Sequence, residues 1–267
     1  MLKFISFGSG SCGNCYYLYT EKEGLLIDAG IGLRTLKKRF QDYGLRLSDI
    51  HYILITHDHT DHVKSVGTLS ADYSLPVYST EKVHEGIKNN HYLKKHVAPE
   101  YTHIIEKDRS FRLGEFTVTP FEIPHDSSDN VGYRVQHGDV VFCLMTDIGH
   151  IVDDIRKNIS EAQYLVIEAN HDVQMLRDGQ YPAYLKQRVA GSYGHLSNSE
   201  CAEALAKNAT KKLKHVWLCH LSGENNHPEL ARKSVEHTLK EYGIMAGEDF
   251  LLDVLGRKTP SEITDLY

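Results

Sequence analysis

Long hydrophobic runs are missing from this chain of 267 residues. The longest, such as "VVFCLMT", fall far short of the ~20 apolar residues that span a bilayer, which excludes a helical membrane protein. Excess positive charge is missing too: a net charge of -6 provides no global field to gather a polyanion. The five cysteines are scattered and odd in number. That argues against a disulfide framework and for a reducing cytoplasm. Cys12 and Cys15 form a C-x-x-C, but a zinc site would want a second pair, and Cys143, Cys201 and Cys219 stand alone. A redox pair would open a helix, whereas "GSGSCGNCYYLY" reads as a glycine-rich turn between two strands. Linkers, repeats and low-complexity segments are also absent, so a single domain over 1–267 is expected. The opening "MLKFISFGSGSCG" has one lysine and a broken apolar stretch, and reads as a strand of the fold rather than a signal peptide. No membrane contact and no obligatory protein partner is evident.

What is present is enough for a sizeable core, at 41% hydrophobic and 25% charged residues. Short apolar runs separated by turns, "KFISFGSG", "CYYLYT" and "GLLIDAG", predict strands of one sheet. "IGLRTLKKRFQDYG" predicts a helix with Leu33, Leu36 and Phe40 on one face and Gly44 as its stop. "IHYILITH" is a strand, "DHVKSVGTLSADY" a helix and "PVYST" a strand. "FTVTPFEIPH", "VGYRVQHG" and "VVFCLMTD" suit a meander. The second half alternates: strand "AQYLVIEAN", helix "NSECAEALAKNA", strand "KHVWLCHLS", helix "HPELARKSVEHTLKEYG", and a last strand "DFLLDVL". Strands and helices in both halves predict an α/β fold of two packed sheets with helices outside. "ILITH", "FCLMTD" and "VWLCH" all end in His or Asp, and strand ends are where α/β enzymes place their sites.

Histidine is abundant, at 17 residues, and its spacing is informative. "THDHTDH" gathers His57, His59, Asp61 and His62 behind an apolar strand. Imidazole and carboxylate together suit zinc, manganese or iron. This H-x-H-x-D-H pattern resembles the signature of the metallo-β-lactamase superfamily, and further motifs follow in the family's order over almost the whole chain. The resemblance implies a four-layer αββα sandwich holding two divalent metal ions. It assigns His57, His59 and His125 ("IPHDS") to one ion, and Asp61, His62 and His220 ("LCHLS") to the other. Asp147 ("MTDIG") would lie between them, with Asp28 ("LLIDAG") orienting ligands from behind. Two such ions lower the pKa of a bridging water, giving a hydroxide nucleophile near neutral pH, and favour an anionic substrate. Superfamily members that open β-lactams carry cysteine where Asp147 stands. Asp there resembles the phosphodiesterases, nucleases and thioester hydrolases, and Cys143 belongs to the core.

That assignment leaves His195, in "GHLSN", unused. Ser197 or Asn198 could simply cap the following helix with His195 ahead of the cap. Glu168, in "IEANHD", supplies a partner: a carboxylate that fixes an imidazole's tautomer and raises its pKa makes a general acid. Transfer-RNA 3′-processing endonucleases of the superfamily pair a Glu with a Gly-His-Ser-Thr in the same order, although Leu196 stands where they have Ser. The resemblance implies that His195, Glu168 and Asp28 serve catalysis, with Glu168 orienting His195, which either donates the proton or binds the scissile phosphate. The chain has no room for an inserted domain and no protruding arm. "GSGSCGN", "GHLSN" and "HLSGENN" resemble the compact YycJ (WalJ)-type nuclease branch, which implies a cytoplasmic 5′ to 3′ exonuclease acting on DNA. A small-molecule ester, thioester or cyclic phosphodiester hydrolase is the alternative. Substrate contacts are expected at Ser9, Ser11, Asn14, His171, Asn198 and Asn226. The glycine loop fits either a phosphate cradle or a tight β-turn, and Asn225 and Asn226 either substrate contact or a turn. Lys207, Lys211, Lys212 and Lys214 fit a solvated helix end or a nucleic-acid contact.

Overall fold

The computed structural model describes residues 1–267. Its strands form two sheets of seven. In chain order the first half supplies β1 (Leu2–Gly8), β2 (Cys15–Tyr19), β3 (Gly24–Ile27), α1 (Leu33–Asp42), β4 (Tyr52–Leu54), α2 (Thr60–Val63), α3 (Val66–Tyr73), β5 (Val77–Ser79), α4 (Glu81–Asn89) and β6 (Thr102–Ile104). There follow β7 (Phe111–Leu113), β8 (Phe116–Glu122), β9 (Val131–His137), β10 (Val140–Met145), α5 (Asp153–Glu161), β11 (Tyr164–Glu168), α6 (Val173–Asp178) and α7 (Ala183–Val189). The chain continues with α8 (Asn198–Asn208), β12 (His215–Cys219), α9 (Pro228–Glu241), β13 (Leu251–Val254) and β14 (Thr264–Leu266).

The first sheet runs β14-β1-β2-β3-β4-β5-β6 and the second β13-β12-β11-β10-β9-β8-β7. Each begins as an antiparallel meander and becomes parallel, from β3 onward in the first and from β10 onward in the second. The parallel strands read as continuous apolar runs because both faces are covered. Along β10, Phe142 and Leu144 enter the layer between the sheets while Cys143 and Met145 face the helices. Phe4 from the first sheet meets Phe142 and Trp217 from the second, with ring centroids 5.0 and 4.8 Å away. Outside, Leu36, Phe40, Val66, Leu69, Val83 and Ile87 of α1, α3 and α4 pack on the first sheet. Ile155, Ile159, Leu205, Val235 and Leu239 of α5, α8 and α9 pack on the second. This is the expected αββα sandwich.

Several details differ from the sequence expectation. The single helix expected over "DHVKSVGTLSADY" divides into α2 and α3, with Ser65 turned aside and its hydroxyl donated to the Ile31 carbonyl. "DFLLDVL" is not the last strand: β14 pairs antiparallel with β1 and forms the edge of the first sheet. Ser197 caps α8 in a full capping box with Glu200, as its motif suggested. Phe142→Ala should open a void at the junction of the two sheets and cost about 3–5 kcal/mol. Urea denaturation would register this as a lower midpoint with an unchanged slope.

Candidate metal centre

Three residues at the centre follow strand ends and adopt the left-handed conformation: Asp28 (φ 60), Asp147 (φ 57) and His220 (φ 53). Such backbone costs an ordinary residue about 1–2 kcal/mol, and Asp, Asn and His tolerate it best. The turn re-aims the Asp147 and His220 side chains from the strand direction into the gap at the rim between the sheets, and brings Asp28 in behind His62. Together with the His57–His62 loop after β4, it brings residues from both sheets to one place. Potential donor atoms within 4.8 Å of one another form four sets: Asp147–Glu168–His195–His220, His57–His59–His125, Asp61–His62–His220 and His57–His62–Asp147. The last set links the two triads before it.

Most of these rings are fixed through one nitrogen. His62 Nδ1 donates to Asp28 at 2.7 Å, and His57 Nδ1 to the Thr56 hydroxyl at 3.0 Å. His125 Nδ1 donates to the Gly194 carbonyl at 3.0 Å, and His220 Nδ1 to Glu168 at 2.8 Å. The opposite nitrogens, Nε2 of His57, His125 and His220, are buried without a hydrogen-bond partner. Buried ring nitrogens that converge with no hydrogen-bond donor to meet them, each ring steadied from behind, form a ligand set suited to a divalent cation. His62 Nε2 accepts from the Asn14 carboxamide at 2.8 Å, so His62 becomes a ligand only by giving up that bond.

Glu168 is fully buried and its carboxylate accepts four hydrogen bonds. Oε1 takes His195 Nδ1 at 2.9 Å and His220 Nδ1 at 2.8 Å; Oε2 takes the backbone N–H groups of Ile148 and Leu196. Burial works against its ionisation, yet His195 and His220 hold its carboxyl down at about 2. One carboxylate therefore orients both a candidate ligand and the histidine left over. His195 lies at the edge of the same cluster, its Nδ1 3.7 Å from Asp147.

Charge divides the centre. Burial and the neighbouring His62 push His57 well below its usual range, and burial also lowers His125. Across the gap burial is overcome: Asp28 and Asp147 raise His62, Asp147 and Asp61 lift His220 to about 10, and Glu168 raises His195. His57 and His125 thus present neutral rings with open lone pairs, while carboxylates crowd the opposite corner. A cation between them satisfies both.

The remaining expected site residues fall elsewhere. Asp28 is buried behind His62, and accepts the Thr56 N–H and hydroxyl, so it positions residues without reaching the gap. Of the residues expected to touch substrate, Ser9, Asn14, Asn198 and Asn226 are buried and their polar atoms make internal hydrogen bonds. The Ser9 hydroxyl accepts the His220 N–H and bonds Tyr16. The Asn198 and Asn226 carboxamides pair with each other, and Asn226 also donates to the carbonyls of Ala169 and Asn170. Ser11 stays exposed and accepts from Arg257. His171 is buried and lines a separate recess of ≈ 550 Å³ with Arg177 and Lys186. The sequence reading missed Thr56, whose place between strand and cluster was a signal. It also missed Asn130, which donates to the carbonyls of Thr146 and Asp147 and had no signal at all.

The ligand loop depends on one close backbone approach. A Cβ on Gly30 would sit 1.6 Å from the Asp61 carbonyl oxygen, while the neighbouring Ala29 N–H donates to His62 O at 2.7 Å. Gly30→Ala should therefore displace Asp61 and His62. The expected result is about 1–3 kcal/mol lost in denaturation and metal affinity about 10- to 100-fold weaker by competitive chelation.

Residues 24–220 match the family described as beta-lactamase superfamily domain. Exodeoxyribonuclease YycJ of Bacillus anthracis is 36% identical over 262 residues, covering 98% of both chains. Exodeoxyribonuclease WalJ of Streptococcus pneumoniae is 35% identical over 264 residues, covering 99% of this chain and 98% of its own. Among solved structures, the metallo-β-lactamase fold protein YhfI of Bacillus subtilis superposes with a TM-score of 0.73 at 19% identity, covering 98% of this chain and 100% of its own. The shared fold, the near full-length relatives and the clustered His and Asp donors agree: the chain belongs to the metallo-β-lactamase superfamily, in the group that includes the YycJ and WalJ exodeoxyribonucleases.

Proposed function

We propose that the chain is a dinuclear-metal phosphodiesterase acting in the cytoplasm as a DNA exonuclease from the 5′ end. The observation that carries this reading is the placement of His195: it joins neither the His57–His59–His125 nor the Asp61–His62–His220 triad, and although it clusters with Asp147, Glu168 and His220, its Nδ1 is taken by Glu168 at 2.9 Å, which leaves Nε2 to face substrate. The relatives named exodeoxyribonucleases support the substrate class. His57, His59 and His125 would hold one ion and Asp61, His62 and His220 the other, with Asp147 between them. When bound, zinc, manganese or iron ions would supply activation of water and stabilise charge on the attacked phosphoryl group.

The protein's own part is orientation and proton transfer. Glu168 accepts from His195 Nδ1, which fixes the tautomer and leaves Nε2 as the nitrogen for exchange with substrate. The same carboxylate raises the imidazole's proton affinity, so His195 delivers a proton to the departing oxygen of the cleaved diester. Asp28 and Thr56 keep His62 and His57 in register while this happens. A thioester or small ester with a good leaving group has less need of such a donor, which is why His195 favours phosphodiester cleavage.

Shortening of 5′-labelled duplex and single-stranded DNA, and of RNA, with manganese or zinc added tests the reading. Turnover confined to thioesters or lactones would overturn it. His195→Ala should retain the wild-type metal content and lose about 10²- to 10⁴-fold in turnover. Glu168→Gln should differ in kind. Because Glu168 also holds His220, metal affinity should fall together with turnover, about 10- to 100-fold by competitive chelation.

A further inference from the structure

Carboxylates are missing from three segments that meet beside the glycine loop. Residues 8–14, 29–41 and 254–261 hold Arg34, Lys37, Lys38, Arg39, Arg257 and Lys258 and no Asp or Glu, in a protein of net charge -6. Of these cations only Lys38 is ion-paired, to Asp42 just outside its segment. Arginines elsewhere, such as Arg134, Arg188 and Arg232, each face a carboxylate. The segments touch through main-chain groups: Arg39 of α1 donates to the carbonyls of Phe7 and Lys258, and the Cys12 thiol donates to the Arg257 carbonyl at 3.2 Å.

Arg257 is the member of this patch that reaches the loop tip. It is half-buried and enters no ion pair, and the protein supplies its guanidinium with one acceptor, the Ser11 hydroxyl at 3.1 Å from Nη2. Its Nε is buried without a hydrogen-bond partner. Two glycines make its place. A Cβ on Gly223 would lie 2.2 Å from Nη1, and one on Gly10 3.3 Å from Nε. The motifs "GSGSCGN" and "HLSGENN" thus leave room on either side of one guanidinium. A cation drawn this far out of water without a counter-charge carries a desolvation cost that the protein's own groups do not offset.

The same loop is fastened to the donor cluster. The Ser9 hydroxyl accepts the His220 N–H at 2.9 Å. The Asn14 carboxamide accepts the Gly10 N–H at 2.8 Å and donates to His62 Nε2 at 2.8 Å. Gly13 serves a close backbone approach, since its Cβ would stand 2.8 Å from the Gly30 carbonyl oxygen. The inner residues of the loop are therefore braces for His62 and His220, while Ser11 at the tip stays exposed beside Arg257. The patch and the centre share one rigid loop.

We propose that Arg257 and Ser11 form a phosphate subsite for the DNA strand, holding a backbone phosphate other than the one being cleaved, with Arg39 and Lys258 adding attraction from behind. A planar guanidinium offers paired N–H donors to two phosphate oxygens, and the Ser11 hydroxyl, which accepts from Arg257, keeps its own proton to donate. The phosphate supplies the counter-charge that Arg257 lacks. The inference rests on the nuclease reading above and adds to it a contact outside the metal centre.

Fluorescence anisotropy with a labelled single-stranded DNA oligonucleotide, in chelator so that no cleavage occurs, measures the subsite. Arg257→Gln should weaken binding about 10- to 100-fold and reduce the slope of log affinity against log salt by about 0.7. Arg257→Lys keeps the charge and should keep the slope. Ser11 is exposed, so Ser11→Ala probes the site without disturbing the packing of Arg257; it should weaken binding about 2- to 10-fold at an unchanged slope. Arg112→Gln is the control: Arg112 lies on β7, at the far edge of the second sheet, in no ion pair, and its loss should leave binding as in wild type. An unchanged slope in Arg257→Gln, or an equal change in Arg112→Gln, would overturn the phosphate contact. Loss of slope in Arg257→Lys as large as in Arg257→Gln would show that the guanidinium only shapes the loop, and would overturn it too. Wild-type affinity in Ser11→Ala would remove the hydroxyl from the subsite. If the metal-loaded wild type hydrolyses bis(p-nitrophenyl) phosphate but neither binds nor shortens any oligonucleotide, the nuclease reading itself fails.

Discussion

Four buried imidazoles of the centre, His57, His62, His125 and His220, are each held through Nδ1 by a fixed acceptor: a hydroxyl, two carboxylates and a carbonyl. Everything else at the site depends on that arrangement. A ring anchored from behind has one tautomer and one direction, so its Nε2 lone pair is committed before any cation arrives. The acceptors are themselves buried and supported. Asp28 takes the Thr56 N–H, and Glu168 takes two backbone N–H groups, which offsets the cost of placing carboxylates away from water. The two sheets form a frame that can hold such groups still, because the core between them is closely packed.

Glu168 concentrates this logic in one residue. By accepting from both His195 and His220 through Oε1, it couples the geometry of a candidate ligand to that of the proposed proton donor. Movement of either ring is felt by the other through a shared oxygen. A chain needing only a cation-binding cluster would gain nothing from extending the network to His195.

Much of this was legible in the sequence because the chemistry sits in short contiguous motifs. The cluster at His57–His62 is contiguous in sequence, while His125, Asp147 and His220 were singled out by the resemblance to the metallo-β-lactamase superfamily. The sandwich followed from the alternation of elements, and the cap of α8 was narrowed to Ser197 or Asn198, of which the structure takes Ser197. The less local features were harder to see. A strand as short as β14, with only Leu266 buried, has no periodicity to detect. Polar residues in glycine- or asparagine-rich turns look alike whether they face solvent or the interior. Ser9, Asn14, Asn198 and Asn226 proved to be internal braces, and their partners lie up to 211 positions away.

The Ser9–His220 hydrogen bond has a consequence for the order in which the molecule matures. It joins the first sheet's opening strand to the end of β12 across 211 positions, and β1 is in turn flanked by β14. Contacts of such sequence separation pay their loop-closure entropy before they return any stability, so they belong to the late part of folding. The centre cannot take its final shape while the polypeptide is still emerging or only half collapsed. A nascent or partly unfolded copy is thus kept inert, and hydrolytic capacity arrives together with the finished tertiary structure.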